Sequence, residues 1–534
     1  MNLMQRSIVV VFCAAALLGG PQILSAQDIT ADAELVETRT EVPKLKAPAE
    51  YKMQDNTVLI EISEYAGYAG LIAANGGLEP GDNSLFAKKY GFKVKLAMSE
   101  ADSWSPLNSG KLAACPSTVD VLAVYGRQLD AVVPVLIGFS RGADGLVVQK
   151  SIKRINDLAG KTLATSQFNE ADFLIRYLAQ EAGLSVNMLP NLQARPAADK
   201  VNLVYCADAF GAGDLFLRDL KAGRNRLAGC VTWAPKTTEV ASGSNGKASI
   251  LLTNRNLLIV ADILMINKGF AKSNPKIVAG LVSGLLEGNH QVRTEPDKYA
   301  DVIGKAFKWD AAQTRSELAK VHLANLPENQ AFFSGKIDSA GSYNFIYETA
   351  GYVYGSELLG KQIPCERLLD LAQLAAAETS GLFKDQKASI TPLRSAGGAA
   401  ESTGESVLSK DIRFLFKPNS SKLETGSEAN AKGLQSISQL IKVAPGSTVL
   451  LRGHADGSLL EKFRQEGGQA RVMQAKLQLK NLSKARCEEV KLILQEKYGF
   501  DAARIEVQGV GADEPTGKGP DADRRVEVQW FTVE

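Results

Sequence analysis

Between residues 57 and 266, short β-branched runs alternate with stretches of helical periodicity, and this alternation constrains the fold more than any other feature of the chain. The strand-like runs are 57–62, 92–96, 119–124, 132–137, 145–148, 162–164, 202–205 and 257–266, with a helix-like stretch at 68–74. Strands separated by helices build an α/β sheet with parallel crossovers. Such sheets bind ligands beyond the carboxyl ends of their strands. The residues that follow each strand are therefore the first candidates for function.

Two polar stretches frame this segment. Residues 27–56 carry Glu, Thr, Lys and Pro with little periodicity and read as a flexible lead-in. Residues 387–410 include Ser395-Ala-Gly-Gly-Ala-Ala-Glu-Ser-Thr-Gly-Glu-Ser406, a small and polar composition that reads as a linker. Square-root scaling gives such a linker a reach of about 25–30 Å. The chain thus divides into an α/β segment at 57–386 and a smaller C-terminal domain at 411–534. At its start, Arg6, an apolar run at 8–18 and Leu24-Ser25-Ala26 have the layout of a cleaved export signal over 1–26. The apolar run falls short of the ~20 residues a bilayer span needs, which makes an uncleaved membrane anchor the weaker alternative.

Composition excludes some classes. With 61 Lys+Arg against 59 Asp+Glu the net charge is +2, without the basic excess of a nucleic-acid binder. The three histidines, His290, His322 and His454, lie far apart, and neither HExxH nor CxxC occurs, so no metal site and no cofactor are expected. Besides Cys13 in the signal there are Cys115, Cys206, Cys230, Cys365 and Cys487. A bridge between Cys206 and Cys230 would join neighbouring elements, and buried free thiols are the equal alternative.

Gly138-Phe139-Ser140-Arg141-Gly142 fits the G-x-S-x-G of serine hydrolases. A nucleophile elbow turns from strand directly into helix. Here Ala143-Asp144-Gly145-Leu-Val-Val148 resumes a strand pattern, and His290 and His322 have no distinctive setting, so no catalytic residue is assigned. The same peptide, followed by Ile155-Asn-Asp157-Leu158-Ala-Gly160-Lys161-Thr-Leu-Ala164, resembles the periplasmic solute-binding proteins of ABC importers, in their nitrate, sulfonate and taurine-type branch. Glu64-Tyr65-Ala-Gly67-Tyr68, Leu107-Asn-Ser-Gly110-Lys111 and Ala261-Asp262-Ile-Leu-Met-Ile266 agree in order.

The resemblance implies a two-lobed periplasmic-binding-protein fold whose lobes close on a solute across hinge strands. Solute-binding candidates in lobe one are Ser63, Tyr65, Tyr68, Ser117, Thr118 and Ser140; in lobe two they are Thr165, Ser166 and Gln167, immediately after a strand. Asp208 and Trp233 occupy second-lobe edges, where they either line the cleft or only pack. Hydroxyls and amides at a helix start suit an oxyanion, which points to a small anionic solute, with Arg141 as a source of charge.

The C-terminal domain reads as a small βαβαβ α/β sandwich. Its Gly453-His454-Ala455-Asp456, Asn481-Leu482-Ser483-Lys484-Ala485-Arg486, Gly509-Val-Gly511 and Asp523-Arg524-Arg525-Val526-Glu527 closely resemble the spaced motifs of OmpA-like peptidoglycan-binding domains. The resemblance implies that Asp456 and Arg486 grip the ammonium and carboxylate of diaminopimelate in the stem peptide, with Asn481, Leu482 and Arg525 at the same site. Their chemistry agrees, since a guanidinium fork takes a carboxylate in a bidentate way. The motif Asn481-Leu482-Ser483 is expected to open a helix running to about Tyr498, whose first N–H groups favour the same carboxylate. Ala455 and Asp523 depart from the family pattern, and the stretch 457–480 is longer than usual. The expectation is a periplasmic solute-binding protein with peptidoglycan, a small solute and an ABC permease as partners. The alternative is a wall-anchored structural or assembly protein whose binding fold no longer carries solute.

Overall fold

The computed structural model describes residues 34–335, 341–390, 406–417, 420–444 and 446–532. The expected export signal at 1–26 lies outside them, as does the middle of the expected linker, 391–405. No helix among the described residues is long and apolar enough to cross a membrane.

Among the described residues the strands group into three sheets. In chain order they are β1 (Thr57–Ile62), β2 (Lys93–Met98), β3 (Ala114–Thr118), β4 (Ala131–Ser140), β5 (Asp144–Gln149), β6 (Thr162–Ser166), β7 (Val186–Met188) and β8 (Val201–Cys206). There follow β9 (Gly229–Trp233), β10 (Ala248–Thr253), β11 (Ala261–Asn267), β12 (Val321–Leu323), β13 (Leu408–Ile412), β14 (Thr448–His454), β15 (Ile505–Gly511) and β16 (Val526–Phe531). Lobe one is the sheet β12-β4-β11-β3-β1-β2, and lobe two is β10-β5-β9-β6-β8-β7. The β1, β2 and β3 neighbours are parallel, as the alternation predicts, while β11 runs antiparallel between β3 and β4.

One expected strand is a helix. Residues 119–124 belong to helix α1 (Val119–Tyr125), and the strand is the preceding Ala114-Cys-Pro-Ser-Thr118. All seven residues of α1 are buried, so its β-branched content reflects enclosure on every side, which periodicity cannot tell from a buried strand. Pro116 and the small residues around it hide β3.

The chain crosses from β4 to β5 within four residues and returns from β10 to β11 through 254–260. Asn254, fully buried, ties both crossings together. It accepts from Gly142 N–H (2.9 Å) and Ser140 Oγ (3.2 Å), and it donates to the Ser140 carbonyl (3.2 Å) and Asp144 Oδ2 (3.3 Å). Asn254→Ala strands several buried polar groups, and we expect it to cost about 2 kcal/mol in urea unfolding, since each orphaned group costs ~1–3 kcal/mol.

The lead-in is not flexible where it is described. Val36 N–H bonds to the Tyr205 carbonyl (2.9 Å) and Thr38 Oγ1 to that of Leu189 (2.6 Å), both in lobe two. Leu45 N–H then bonds to Gln128 (2.9 Å), and Ala49 N–H to Asn108 O (2.9 Å), both in lobe one. The segment is thus a strap spanning the two lobes, and its backbone bonds explain why low periodicity misread it.

The third sheet has the order β13-β16-β14-β15. Helices α2 (Glu428–Val443) and α3 (Leu460–Tyr498) accompany it, α3 being broken at Gly467 and Gly468. The long stretch 457–480 therefore extends a helix, and Asn481 lies inside α3, not at its start. No helix N-terminus is available at Leu482 for a carboxylate, because good helix formers from Gln469 onward keep the N–H groups engaged. Glycine lets α3 lie close on the sheet: a Cβ at Gly453 or Gly509 would come within 2.3 Å of the Ser483 or Lys480 carbonyl.

Strand β13 begins before the expected boundary at 411, and its approach is bonded to lobe two. Ile155 N–H donates to Val407 O (2.9 Å), and Asn156 exchanges two bonds with the Ser409 backbone (2.8 Å each). Residues 387 and 389 are held to Asn325 and Glu328. Both described ends of the expected linker are therefore docked on the α/β segment, in place of the free tether expected from composition.

Candidate functional site

Two cavities concern function. The first lies between the lobes. Its outer part, about 70 Å³, is lined by Ser63, Tyr68, Ser117 and Thr118 of lobe one and by Asp208 and Trp233 of lobe two, among others. A deeper part, about 20 Å³, adds Tyr65 and the crossing residues Asp144 and Asp262. Tyr65 and Tyr68 meet edge to face, with centroids 5.2 Å apart, and Tyr65 OH donates to Asp262 Oδ2 (3.1 Å). The structure thus brings Ser63, Tyr65, Tyr68, Ser117, Thr118, Asp208 and Trp233 together.

The remaining candidates are elsewhere. Ser140 is fully buried at the crossing, bonded to Asn254, and the chain continues as β5; the strand-to-helix turn that would aim it as a nucleophile does not form. Thr165 faces the Val231 carbonyl (3.4 Å), and Ser166 is bonded to Asn169. Gln167 is spent on the strap, accepting from Arg39 N–H (3.0 Å) and donating to Arg39 O (2.7 Å). Arg141 reaches the Arg255 carbonyl (3.4 Å) and is not a cleft residue. The reason for the miss in lobe two is local. Phe168 has φ 67°, a left-handed turn that delays helix α4 (Glu170–Glu181) by three residues, so Asn169 and Glu170 reach the cleft in place of Thr165 to Gln167. Asn169 caps that helix, accepting from Ala171 N–H (3.2 Å), and Asn-Glu before an apolar run was the available signal.

The cleft is rich in carboxyls. Glu61, Glu100, Asp102, Asp144, Glu170, Asp208 and Asp262 line its two parts, and among the described residues no Lys or Arg does. Burial raises Glu170 well above the usual carboxyl range, with Asp144 and Asp120 pushing further, and Asp262 is raised in the same way by burial and by Asp144. Burial also pushes Glu100 and Asp120 up to about 7. The helix starts at Val119 and Glu170 each carry acidic side chains in their own first turns.

The second cavity, about 380 Å³, lies in the C-terminal domain. It gathers Arg413, Lys417, Arg486, Arg524 and Arg525 around Phe414, Phe416 and His454. Arg486 stacks on Phe416, 4.7 Å from its centroid, and donates to the Ser420 carbonyl (3.4 Å); Arg525 pairs with Asp411 (3.2 Å).

Residues 415–528 match the model of the OmpA family. Of the expected wall-binding residues, Arg486 and Arg525 line the cavity of the OmpA domain, whereas Asp456, Asn481 and Leu482 do not. Asp456 accepts from the N–H (2.7 Å) and hydroxyl (3.0 Å) of Ser458, just beyond β14. Arg413 and Lys417 were missed because their positions carry no motif of their own, and Arg524, inside the Asp523-Arg524-Arg525 motif, was not assigned to the site.

Beside this cavity His454, Glu514 and Glu527 bring three potential metal ligands within 4.8 Å of one another. Arg452 already pairs with Glu514 (2.6 Å) and Glu527 (2.7 Å), which makes the group an ion-pair network. Burial opposes ionisation of Glu527, but bonds from His454 and Gln529 and the Arg452 charge draw it down to about 2. A depressed carboxyl contributes stability above its unfolded pKa near 4.5 and loses it as pH falls toward 2. Glu527→Gln is accordingly expected to flatten the acid loss of stability, read by urea unfolding of the full chain at pH values between about 5 and 2.

Over 59% of this chain and 97% of the other, the structure is similar to the periplasmic aliphatic sulphonate binding protein from Escherichia coli, at 16% identity and TM-score 0.44. It is similar also to the alkanesulfonate-binding protein from Xanthomonas axonopodis pv. citri bound to MOPS (14%, 60% and 99% covered, TM-score 0.45). A third likeness is to the periplasmic nitrate-binding protein from Synechocystis PCC 6803 (12%, 63% and 90% covered, TM-score 0.41). No curated protein matches the chain. All five described cysteines are buried and free. Strand β6 separates β8 from β9, which sets Cys206 and Cys230 about two strand spacings, roughly 10 Å, apart and too far to bridge.

Proposed function

We propose that this chain is an exported solute-binding protein of an ABC-type importer, held non-covalently to peptidoglycan by its OmpA domain. The observation that carries the solute half is the set of buried polar atoms without partners where the lobes meet. Ser117 Oγ, Thr118 Oγ1 and Trp233 Nε1 line the cleft from both sides and find no hydrogen-bond partner among the described residues. Leaving such groups dry costs ~1–3 kcal/mol each, so a site built this way is built for something that fills it. The crossing strands supply the hinge on which the lobes close.

For the wall half, five cationic side chains around one cavity suit the carboxylates of a diaminopimelate stem peptide, and Arg486 presents its fork over Phe416. Asp456, Asn481, Leu482 and Arg525 complete the proposed contact set, with Asp456 as partner of the ammonium. Because the OmpA domain is docked on lobe two, the binding module sits on the wall in a defined orientation.

Scanning fluorimetry of the full chain against sulfonates, nitrate, phosphate, phosphonates, thiamine-precursor analogues and amines tests the first half. A thermal shift by one solute class is expected. No shift with any of them, wall binding being intact, would leave the assembly-protein reading in its place.

A further inference from the structure

We propose that the cleft between the lobes binds a compact organic cation, a short primary amine or amino alcohol, through Glu170, Asp144 and Asp262 and against the rings of Tyr65, Tyr68 and Trp233. The inference rests on the solute-binding reading and names the class of its solute.

The geometry converges from three sources. Asp144 opens β5 and Asp262 lies in β11, so the two connections between the lobes each place a carboxylate at the floor of the cleft. Glu170 comes from lobe two at the start of α4, and Thr118 opposes it from lobe one at the start of α1. Asp144 and Asp262 are 3% exposed, and carboxylates so enclosed and so close call for a positive partner. Among the described residues no Lys or Arg lines the cavity. Arg176, the guanidinium nearest in sequence to Glu170, is engaged with Asp172 at 2.8 Å.

A second observation is independent of charge. The buried Ser117 and Thr118 hydroxyls line the cleft without a hydrogen-bond partner among the described residues. Each hydroxyl oxygen can accept an ammonium N–H. The walls are aromatic: Tyr65 and Tyr68 stand edge to face, and Trp233 is backed by Phe210 at 5.4 Å. Ring faces with carboxylates behind them form the arrangement that holds ammonium groups by cation–π attraction. Trp233 Nε1, an unpartnered donor, suits a hydroxyl on the same ligand. The two parts of the cavity, about 70 and 20 Å³, suit a small ligand.

The groups facing Glu170 are Asp144, Asp120 and Asp262, all acidic, with Tyr68 neutral, while Arg39 on the strap acts on the outer Asp102. A cation displaces protons from these raised carboxyls, so its affinity rises with pH across the range where they titrate.

The test is isothermal titration and thermal shift of the full chain with ethanolamine and methylammonium, against methanesulfonate and nitrate, at about pH 5.5 and about pH 8. The amines are expected to bind, more tightly at the higher pH, with no response to the anions. Glu170→Gln removes the ionisable group without changing volume; it is expected to raise the melting temperature of the free protein by removing a buried carboxyl that is costly to ionise, and to weaken the amine about thirtyfold, as loss of a charge-assisted bond does. Asp144→Asn is the second variant, should Glu170→Gln not fold. Binding of methanesulfonate or nitrate without the amines would overturn the cation assignment and leave solute binding standing. Silence of both arms, or amine affinity unchanged in both variants, would overturn it as well, the first by removing the solute itself.

Discussion

Arg486→Ala is expected to abolish recovery of the full chain on purified diaminopimelate-type peptidoglycan. The guanidinium is the cavity cation whose place is held by an aromatic ring, and among the described residues it donates one long bond, to the Ser420 carbonyl (3.4 Å). Burial and the nearby Arg524 lower its pKa, and a guanidinium stays charged in proteins, ready for a carboxylate. Removing a charge-assisted bidentate contact costs ~1.5–3 kcal/mol, about ten- to a hundredfold in affinity, enough to empty a pull-down. Asp456→Ala is expected to weaken recovery in the same assay through the ammonium. Circular dichroism should be unchanged in both, since neither side chain belongs to the core. Full recovery of both variants would remove the assigned residues from wall binding.

The largest expected loss of stability is at Arg176→Ala. Arg176, 8% exposed, donates to Asp172 (2.8 Å) and to Tyr205 OH (2.8 Å), and lies 5.2 Å from the Tyr354 ring centroid. Truncation leaves the fully buried Asp172 carboxylate uncompensated, and breaking a buried pair from one side costs about 3–5 kcal/mol. The double variant Arg176→Met with Asp172→Leu should recover much of that loss, because replacing both charges avoids the orphan. The effect reaches the cleft, for Asp172 also accepts Phe168 N–H (3.1 Å) in the turn that delivers Glu170. Calorimetry of the full chain reads both results; equal stability of the single variant and the native chain would mean that the pair carries no weight.

How far the sequence disclosed this molecule depended on what kind of signal each part left. The lobes were legible because β1, β4, β5, β6 and β8 are apolar runs between turn residues, and the OmpA domain because its motifs fall at fixed spacings. Strand β3 was not, since Cys-Pro-Ser carries no strand pattern, and α1 masqueraded as a strand because it is enclosed on every side. The strap at 34–51 and the ends at 387–390 and 406–410 were read as flexible, for their order comes from long-range backbone bonds that composition does not encode. In the cleft, Tyr65, Tyr68, Thr118 and Trp233 were accessible as residues beyond strand ends. The acidic character was not, because it arises only when Asp144, Glu170 and Asp262, more than a hundred residues apart at the extremes, are folded into one cavity. A net charge of +2 averages that field away.

The most direct test of the central claim is a crystal structure of the full chain purified without denaturation. The account predicts density for a small solute between the lobes, within hydrogen-bond distance of Glu170 and Thr118 and against the ring of Trp233. A cleft holding only ordered waters, with those waters satisfying Ser117, Thr118 and Trp233, would contradict it.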